Sequence, residues 1–384
     1  MRIAQIAPLQ MLAHSQGHAG IETAVGVLTN ALVHRGHQVT LFALEGSQIL
    51  MNPAVVPPGR AFAQALQAVS SGEDYSVIEA IQGQQWDQIR NLADQFDLIH
   101  FHTVDPPFEL AETLAVPTLY TLYGSFNPKI YQRCARYRTH NFISISEGQR
   151  QGGPDINYIR TVYSGVSLAD YPFNPQISVL PEATASDQEI KPEPIVPPAP
   201  YLAFLGRMSP HQGPHLAIEV AKRSGMPLKL AGRIEESDRP FFDTEIAPHI
   251  DGHLIDYWGE VDHLGKQYLL SDACATLFPL TLDQPFGQVM VESMAVGTPV
   301  LTTPLGAATE VIVQGKTGFL CDSLDQMVEA VLKIEGLNRQ DCRDLVARHF
   351  SVQRMVERYE AAYGKVLDDW QIRNCSAYSA AIAL

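Results

Sequence analysis

Glu292 is the one acid within GQVMVESMAVGTP, where Val289, Met290, Val291 and Met294 surround it in sequence. An unpaired carboxylate among such side chains is costly, so Glu292 requires a partner. The two neighbouring hydroxyls of a nucleotide ribose could both donate to it. A salt bridge to a buried arginine is the structural alternative. Pro285 suits a first helical position, Gly287 lets a ligand approach closely, and Gly297-Thr298-Pro299 stops the helix. The helix start at Phe286, Gly287, Gln288 and Val289 would then offer free N–H groups and a positive dipole end to phosphate oxygens. Gln284, eight positions before Glu292, carries an amide that both accepts and donates hydrogen bonds but cannot act as a general base at neutral pH.

Two further loops carry candidate chemistry. Arg207 stands where the apolar run YLAFLG (201–206) gives way to a loop, a position from which a guanidinium can clamp phosphate oxygens or simply be solvated. In HSQGHAGIETAVG, Gly17 and Gly20 precede a helical pattern over 21–34, which reads either as a phosphate or acceptor loop or as a plain glycine turn. His211 and His215 are four apart, but Gly213 and Pro214 lie between them and no acid is near, so no metal site is expected. Lys129, Arg133, Arg136, Arg138 and His140, interleaved with Tyr131 and Tyr137, read as a solvated basic face or as a patch for an anionic acceptor or lipid headgroup.

The elements that must position these residues are short apolar runs alternating with helical patterns. RIAQIA (2–7), VTLFA (39–43), DLIHFH (97–102), TLYTLY (118–123) and NFISIS (141–146) read as strands of a first half. YLAFLG (201–206), LKLAG (228–232), ATLFP (275–279) and PVLTT (299–303) repeat the pattern, with helices over 214–223, 263–270 and 286–296. Strands apolar throughout imply parallel sheets covered on both faces. The expected fold is therefore α/β, two Rossmann-like domains facing across a cleft, with ligands at the carboxyl ends of the strands. The expected division is 1–175, a proline-rich insertion or linker over 176–200, 201–350, a helix over 351–370 crossing back to the first domain, and a loosely ordered tail over 371–384.

Composition narrows the partners. The 384 residues carry a net charge of −15, which opposes non-specific binding to nucleic acid and leaves at most a peripheral, local membrane contact. Five scattered cysteines without a C-x-x-C pair fit neither a disulfide framework nor a zinc knuckle. With no long apolar run, a cytoplasmic protein is expected.

AGIETAVGVLTNALVHRGHQVTLFA, FDLIHFH, FISISEGQR, FLGRMSPHQGPHLAIEVAKR, WGEV and QPFGQVMVESMAVGTPVLTTPLGAATEVIVQGKTGFL occur in the order and spacing of one family. On these segments the chain resembles the retaining glycosyltransferases of family 4, which have the GT-B fold. The resemblance implies transfer of a sugar from a nucleoside diphosphate sugar to an acceptor hydroxyl, with no cofactor and no metal, and the sequence contains no D-x-D. It implies that Gly20 lies near the diphosphate and acceptor, that Arg207 is the first of two phosphate-binding cations, and that Glu292 is the ribose-binding second acid of E-x7-E. It further implies that Gly232-Arg233 and Gly259-Glu260-Val261 line the base. Three positions depart from the family pattern: Gln212 stands where a lysine is usual, Gln284 where the first acid is usual, and Tyr123 where a histidine contacts the donor sugar. Gln284 and Tyr123 are thus the candidate catalytic positions. The competing expectation is a non-catalytic sugar-nucleotide-binding or scaffold protein.

Overall fold

The computed structural model describes residues 1–8, 20–43, 54–56, 75–103, 105–175 and 200–382. Gly17 and the insertion up to residue 199 lie outside them. The chain forms two units, one of residues 1–165 with 352–384 and one of residues 166–351.

The first unit holds β1 (Arg2–Ile6), β2 (Gln38–Phe42), β3 (Ala54–Val56), β4 (Leu98–Thr103), β5 (Thr118–Leu122), β6 (Asn141–Ser144) and β7 (Tyr158–Thr161). They form one parallel sheet in the order β3-β2-β1-β4-β5-β6-β7. Side chains alternate across a strand, and both alternating sets are apolar here. Ile3, Leu98, Leu119 and Ile143 pack on one face with Leu28 and Leu32 of the helix Gly20–His34. Ala4, Ile99, Phe101, Tyr120 and Phe142 pack on the other with Ile89 and Phe108. The last helix, Val352–Ile382, joins the first face through Met355, Tyr359, Ala362, Tyr363 and Val366, a stripe at helical spacing. It runs on as helix to Ile382, where a tail from 371 was expected; no proline or glycine interrupts 371–382.

The second unit holds β8 (Leu202–Leu205), β9 (Leu228–Ala231), β10 (Ile255–Tyr257), β11 (Ala275–Phe278), β12 (Val300–Thr302) and β13 (Gly318–Leu320). They too are parallel, in the order β10-β9-β8-β11-β12-β13. Leu202, Phe204, Leu228, Leu230, Leu277 and Leu301 pack against Ala217, Ile218 and Ala221 of the helix Pro214–Ser224. Residues 166–174 pack with this second unit, whereas the expected boundary was 175. Two arginines of the helix Arg339–His349 hold them: Arg343 donates to the carbonyls of Leu168 (2.9 Å) and Tyr171 (2.6 Å), and Arg339 to that of Asn174 (2.7 Å). The strands β3, β7, β10 and β13 were not expected.

Candidate functional site

In the second unit the loops following β8, β9, β10 and β11 leave one edge of the sheet, and the strand order reverses between β8 and β11. That reversal is where open α/β sheets bind ligands. The ladder between β8 and β9 continues past both strands: Gly206 N donates to Ala231 O (3.0 Å) and Met208 N to Arg233 O (3.0 Å). A Cβ on Gly232 would stand 1.7 Å from Gly206 O, so only glycine lets the two backbones meet. This approach sets Arg207 and Arg233 side by side. Arg207 Nη1 donates to Glu235 Oε2 (3.0 Å) and Arg233 Nη2 to Glu235 Oε1 (2.7 Å). Arg207 Nε lies 3.2 Å from Asp238 Oδ2, close enough to pair as ions but not aligned as a hydrogen bond. Gln212 closes the turn Pro210–Gln212, with Oε1 beside Gly206, and among the described residues nothing hydrogen-bonds its side-chain amide.

The next loops are tied to these. Gly232 N donates to Gly259 O (2.8 Å) and the Tyr257 hydroxyl to Gly232 O (2.7 Å). Val261, half-buried, precedes Asp262, whose carboxylate caps the helix His263–Ser271 through Gly265 N (2.7 Å).

The helix carrying Glu292 starts later than expected, at Gln288–Ala295. Gly287 takes φ +83°, outside helical geometry, so Pro285 sits in the loop and not at a first helical position. Half-buried Gln288 and Val289 are the first two helical residues. Phe286 is buried, its ring 6.1 Å from that of Phe350. Gln284 O accepts from Ala307 N (3.1 Å), and a Cβ on Gly306 would stand 2.1 Å from that oxygen, so the loop is pinned closely. The Gln284 side chain is half-buried, and among the described residues none hydrogen-bonds its amide. Glu292 is buried, and its Oε1 accepts from Lys266 Nζ (2.7 Å) and the Tyr171 hydroxyl (2.9 Å). Its protein partner is thus a lysine and a tyrosine, not an arginine. Burial first, then the carboxylate of Glu292, pushes the Tyr171 hydroxyl up, so it stays a donor.

Sequence reasoning missed Lys266, Tyr171 and Glu235. Lys266 lies one turn past the cap Asp262, a signal that could have found it. Tyr171 is separated from Glu292 by 121 positions and has none.

In the first unit, Gly20 is the first residue of the helix Gly20–His34. Tyr123, just past β5, is buried, and its hydroxyl stands at one end of an open ring of buried side chains. Gln5 Nε2 donates to the Tyr363 hydroxyl (3.0 Å), which meets His100 Nδ1 (2.9 Å); His100 Nε2 meets Thr121 Oγ1 (2.8 Å). Thr121 Oγ1 meets the Tyr359 hydroxyl (3.1 Å) at one end; at the other, Tyr123 meets His102 Nδ1 (3.1 Å), and His102 Nε2 returns to Gln5 Oε1. The Gln5 amide directs the ring, since Oε1 only accepts and Nε2 only donates. With both imidazoles neutral, the bonds run head to tail from Tyr123 through His102, Gln5, Tyr363, His100 and Thr121 to Tyr359. Burial pushes His102 down to about 3, and burial with the neighbouring His102 pushes His100 well below 6.5. The Tyr123 hydroxyl is thereby bonded to His102 Nδ1 among the buried side chains of the first unit.

The basic cluster is partly balanced: Arg133 bonds Asp105, Pro106 O (3.0 Å) and Glu109 (3.0 Å), while Lys129 and Arg138 are exposed. His211 and His215 do not converge with other ligands; among the described residues no group of three His, Cys, Asp or Glu could hold a metal ion. Among the described residues no helix is long and apolar enough to cross a membrane. Gln284, Phe286, Gly287, Gln288, Val289, Glu292, Arg207, Gln212, Gly232, Arg233 and Val261 thus share one unit, and Gly20 and Tyr123 the other. A row of guanidiniums, helix-start amides and one buried carboxylate along a sheet edge suits an anion carrying vicinal hydroxyls.

The family model "Glycosyl transferases group 1" matches residues 186–348, and "Glycosyltransferase Family 4" matches residues 18–169. N-acetyl-alpha-D-glucosaminyl L-malate synthase of Bacillus anthracis is 32% identical over 130 residues, 32% of this chain and 33% of that one, so the chain spans a third of that relative's length. Phosphatidyl-myo-inositol mannosyltransferase of Mycobacterium leprae is 24% identical over 347 residues, covering 85% of this chain and 84% of that one. The structure of Anabaena HepE in complex with UDP and glucose superposes with a TM-score of 0.66 at 15% identity, over 95% of this chain and 100% of that one, a likeness of fold.

Proposed function

This chain belongs to the glycosyltransferases of group 1 and family 4, and on that premise we propose that it is a retaining, metal-independent transferase. Its donor is a nucleoside diphosphate sugar and its acceptor a hydroxyl. The observation that carries the reading is the alignment of Arg207, the amides at Gly287–Val289, the unbonded amide of Gln284 and the buried carboxylate of Glu292 along adjoining strand ends of one sheet. HepE was captured with UDP and glucose, which supports a nucleotide sugar as the ligand class.

In the proposed reaction Glu292 takes the ribose hydroxyls, and Arg207 with the helix-start amides takes the diphosphate. As the bond between the anomeric carbon and the diphosphate oxygen breaks, the negative charge growing on that oxygen meets donors already in place. The acceptor hydroxyl attacks from the face the diphosphate leaves and gives its proton to the departing phosphate oxygen, so no protein base is required. Gln284, being neutral, orients the sugar by hydrogen bonds without adding a second negative charge near the diphosphate.

The test is a panel of UDP-, GDP- and ADP-sugars with the full chain, following donor consumption and the anomeric configuration of the product by NMR, with and without EDTA. Turnover with retained configuration that persists in EDTA is the expected result; inverted product or loss of activity in EDTA refutes it. A second reading, a non-catalytic sugar-nucleotide-binding or scaffold protein, draws on Gln284 and Gln212 standing where the family carries charges. Tight binding of a nucleotide sugar with neither transfer nor hydrolysis would establish it instead.

A further inference from the structure

We propose that Arg207 and Arg233 together form the anion clamp of this site, and that Glu235 is its built-in occupant, which a diphosphate must displace. The inference deepens the reading above and rests on it for the identity of the diphosphate as part of a nucleotide.

The clamp is set by backbone geometry. Residues 207 and 233 follow adjacent parallel strands, and the hydrogen bonds of Gly206 to Ala231 and Met208 to Arg233 hold the two positions level. Gly232, whose Cβ would run into Gly206 O, is what allows the approach. Two guanidiniums then converge on one carboxylate, each taking a different oxygen of Glu235, at 3.0 and 2.7 Å. Two oxygens of a phosphoryl group present the same pattern of acceptors to a pair of forked donors. Gln212, the neighbouring side chain on the β8 loop, has no charge to contribute, so Arg233 supplies the second cation.

Glu235 is suited to leave. It follows Arg233 by two residues, precedes the short turn Glu236–Asp238, and its side chain is one-third exposed. While it sits between the arginines, and Asp238 lies 3.2 Å from Arg207, the charge of the pair is offset from within the chain. A monoanion then gains little by replacing one carboxylate with another. A diphosphate brings more negative charge and more acceptor oxygens, and so wins the exchange. Glu235 thereby acts as a specificity-determining residue that keeps the clamp from other anions.

The test is calorimetry on the full chain with inorganic pyrophosphate, with UDP, GDP and ADP, and with the corresponding nucleosides. Glu235→Gln should tighten pyrophosphate and the preferred nucleoside diphosphate by about tenfold, as expected for removing one competing charged partner, and leave the nucleoside unchanged. Arg233→Ala should weaken the same two ligands by about tenfold or more, leave the nucleoside unchanged, and abolish most of the gain from Glu235→Gln in the double variant. Glu235→Asp, which keeps the charge but shortens the reach, should fall between Glu235→Gln and the wild type; thermal melts establish that each variant is folded. No gain in pyrophosphate affinity on Glu235→Gln overturns the proposal, and so does an Arg233→Ala effect equal on nucleoside and diphosphate, which would return Arg233 to lining the base. If Glu235→Gln tightens pyrophosphate while no nucleotide binds better than pyrophosphate, the clamp stands and the nucleotide reading falls.

Discussion

Acidification should destabilise this protein through the ring that holds Tyr123, by way of its two histidines. His100 and His102 are fully buried, and both are held neutral, His102 down to about 3 and His100 well below 6.5. In the unfolded chain each titrates near 6.5. Above that value both states are neutral and the ring contributes in full. As pH falls below it, the unfolded chain takes up protons that the folded chain refuses, so stability is lost until the folded values are reached. Each histidine removes about 1.4 kcal/mol per pH unit within that window. From pH 7 to pH 5 the loss is about 2 kcal/mol for His102, and His100, also held down by burial, adds to it in the same direction. Protonating His102 would also set an N–H against the Tyr123 hydroxyl that now donates to it, and the head-to-tail order of the ring would break. The assay is urea unfolding followed by circular dichroism at pH 7 and pH 5, in the wild type and in His100→Gln/His102→Gln. Glutamine carries a donor and an acceptor but takes up no proton, and every other titrating group is common to both proteins. The wild type should therefore lose at least about 2 kcal/mol more than the variant between the two pH values. Equal losses would refute the reasoning.

Two further outcomes bear on the donor site. Glu292→Gln keeps an acceptor for Tyr171 but leaves Lys266 without its counter-charge; it should destabilise the second unit by about 1–3 kcal/mol and weaken nucleosides and nucleotides alike by about tenfold, with pyrophosphate unaffected. Lower stability with unchanged nucleoside affinity in calorimetry would leave Glu292 a purely structural ion pair. Gln284→Ala should lower the initial rate of transfer by about 10- to 1000-fold, the range for losing one or two transition-state hydrogen bonds, while Gln284→Glu keeps or raises it. A wild type inactive on every donor beside an active Gln284→Glu would favour the non-catalytic reading.

The sequence by itself determined what depends on local pattern. Runs such as LAFL, apolar at every position, read as strands covered on both faces, and the pattern therefore points to two parallel sheets without any knowledge of strand order. It likewise showed that Glu292 needs a partner, because an acid flanked by Val291 and Met294 one turn into an apolar helix is costly alone. What only the tertiary structure decided is which side chains meet across large separations in the chain. Tyr171 and Lys266 on Glu292, Glu235 between Arg207 and Arg233, and Tyr363 and Tyr359 of the last helix meeting His100 and Thr121 all depend on where distant backbones approach. The start of the helix at Gln288 was decided in the same way: Gly287 takes φ +83°, and a Cβ there would stand 2.7 Å from Met290 Cε and 3.2 Å from Phe278 Cε1, so the packing leaves room for glycine alone. Periodicity reports which face of an element is buried. The partner on the other side of that face is set by the register and order of strands, which no local pattern encodes.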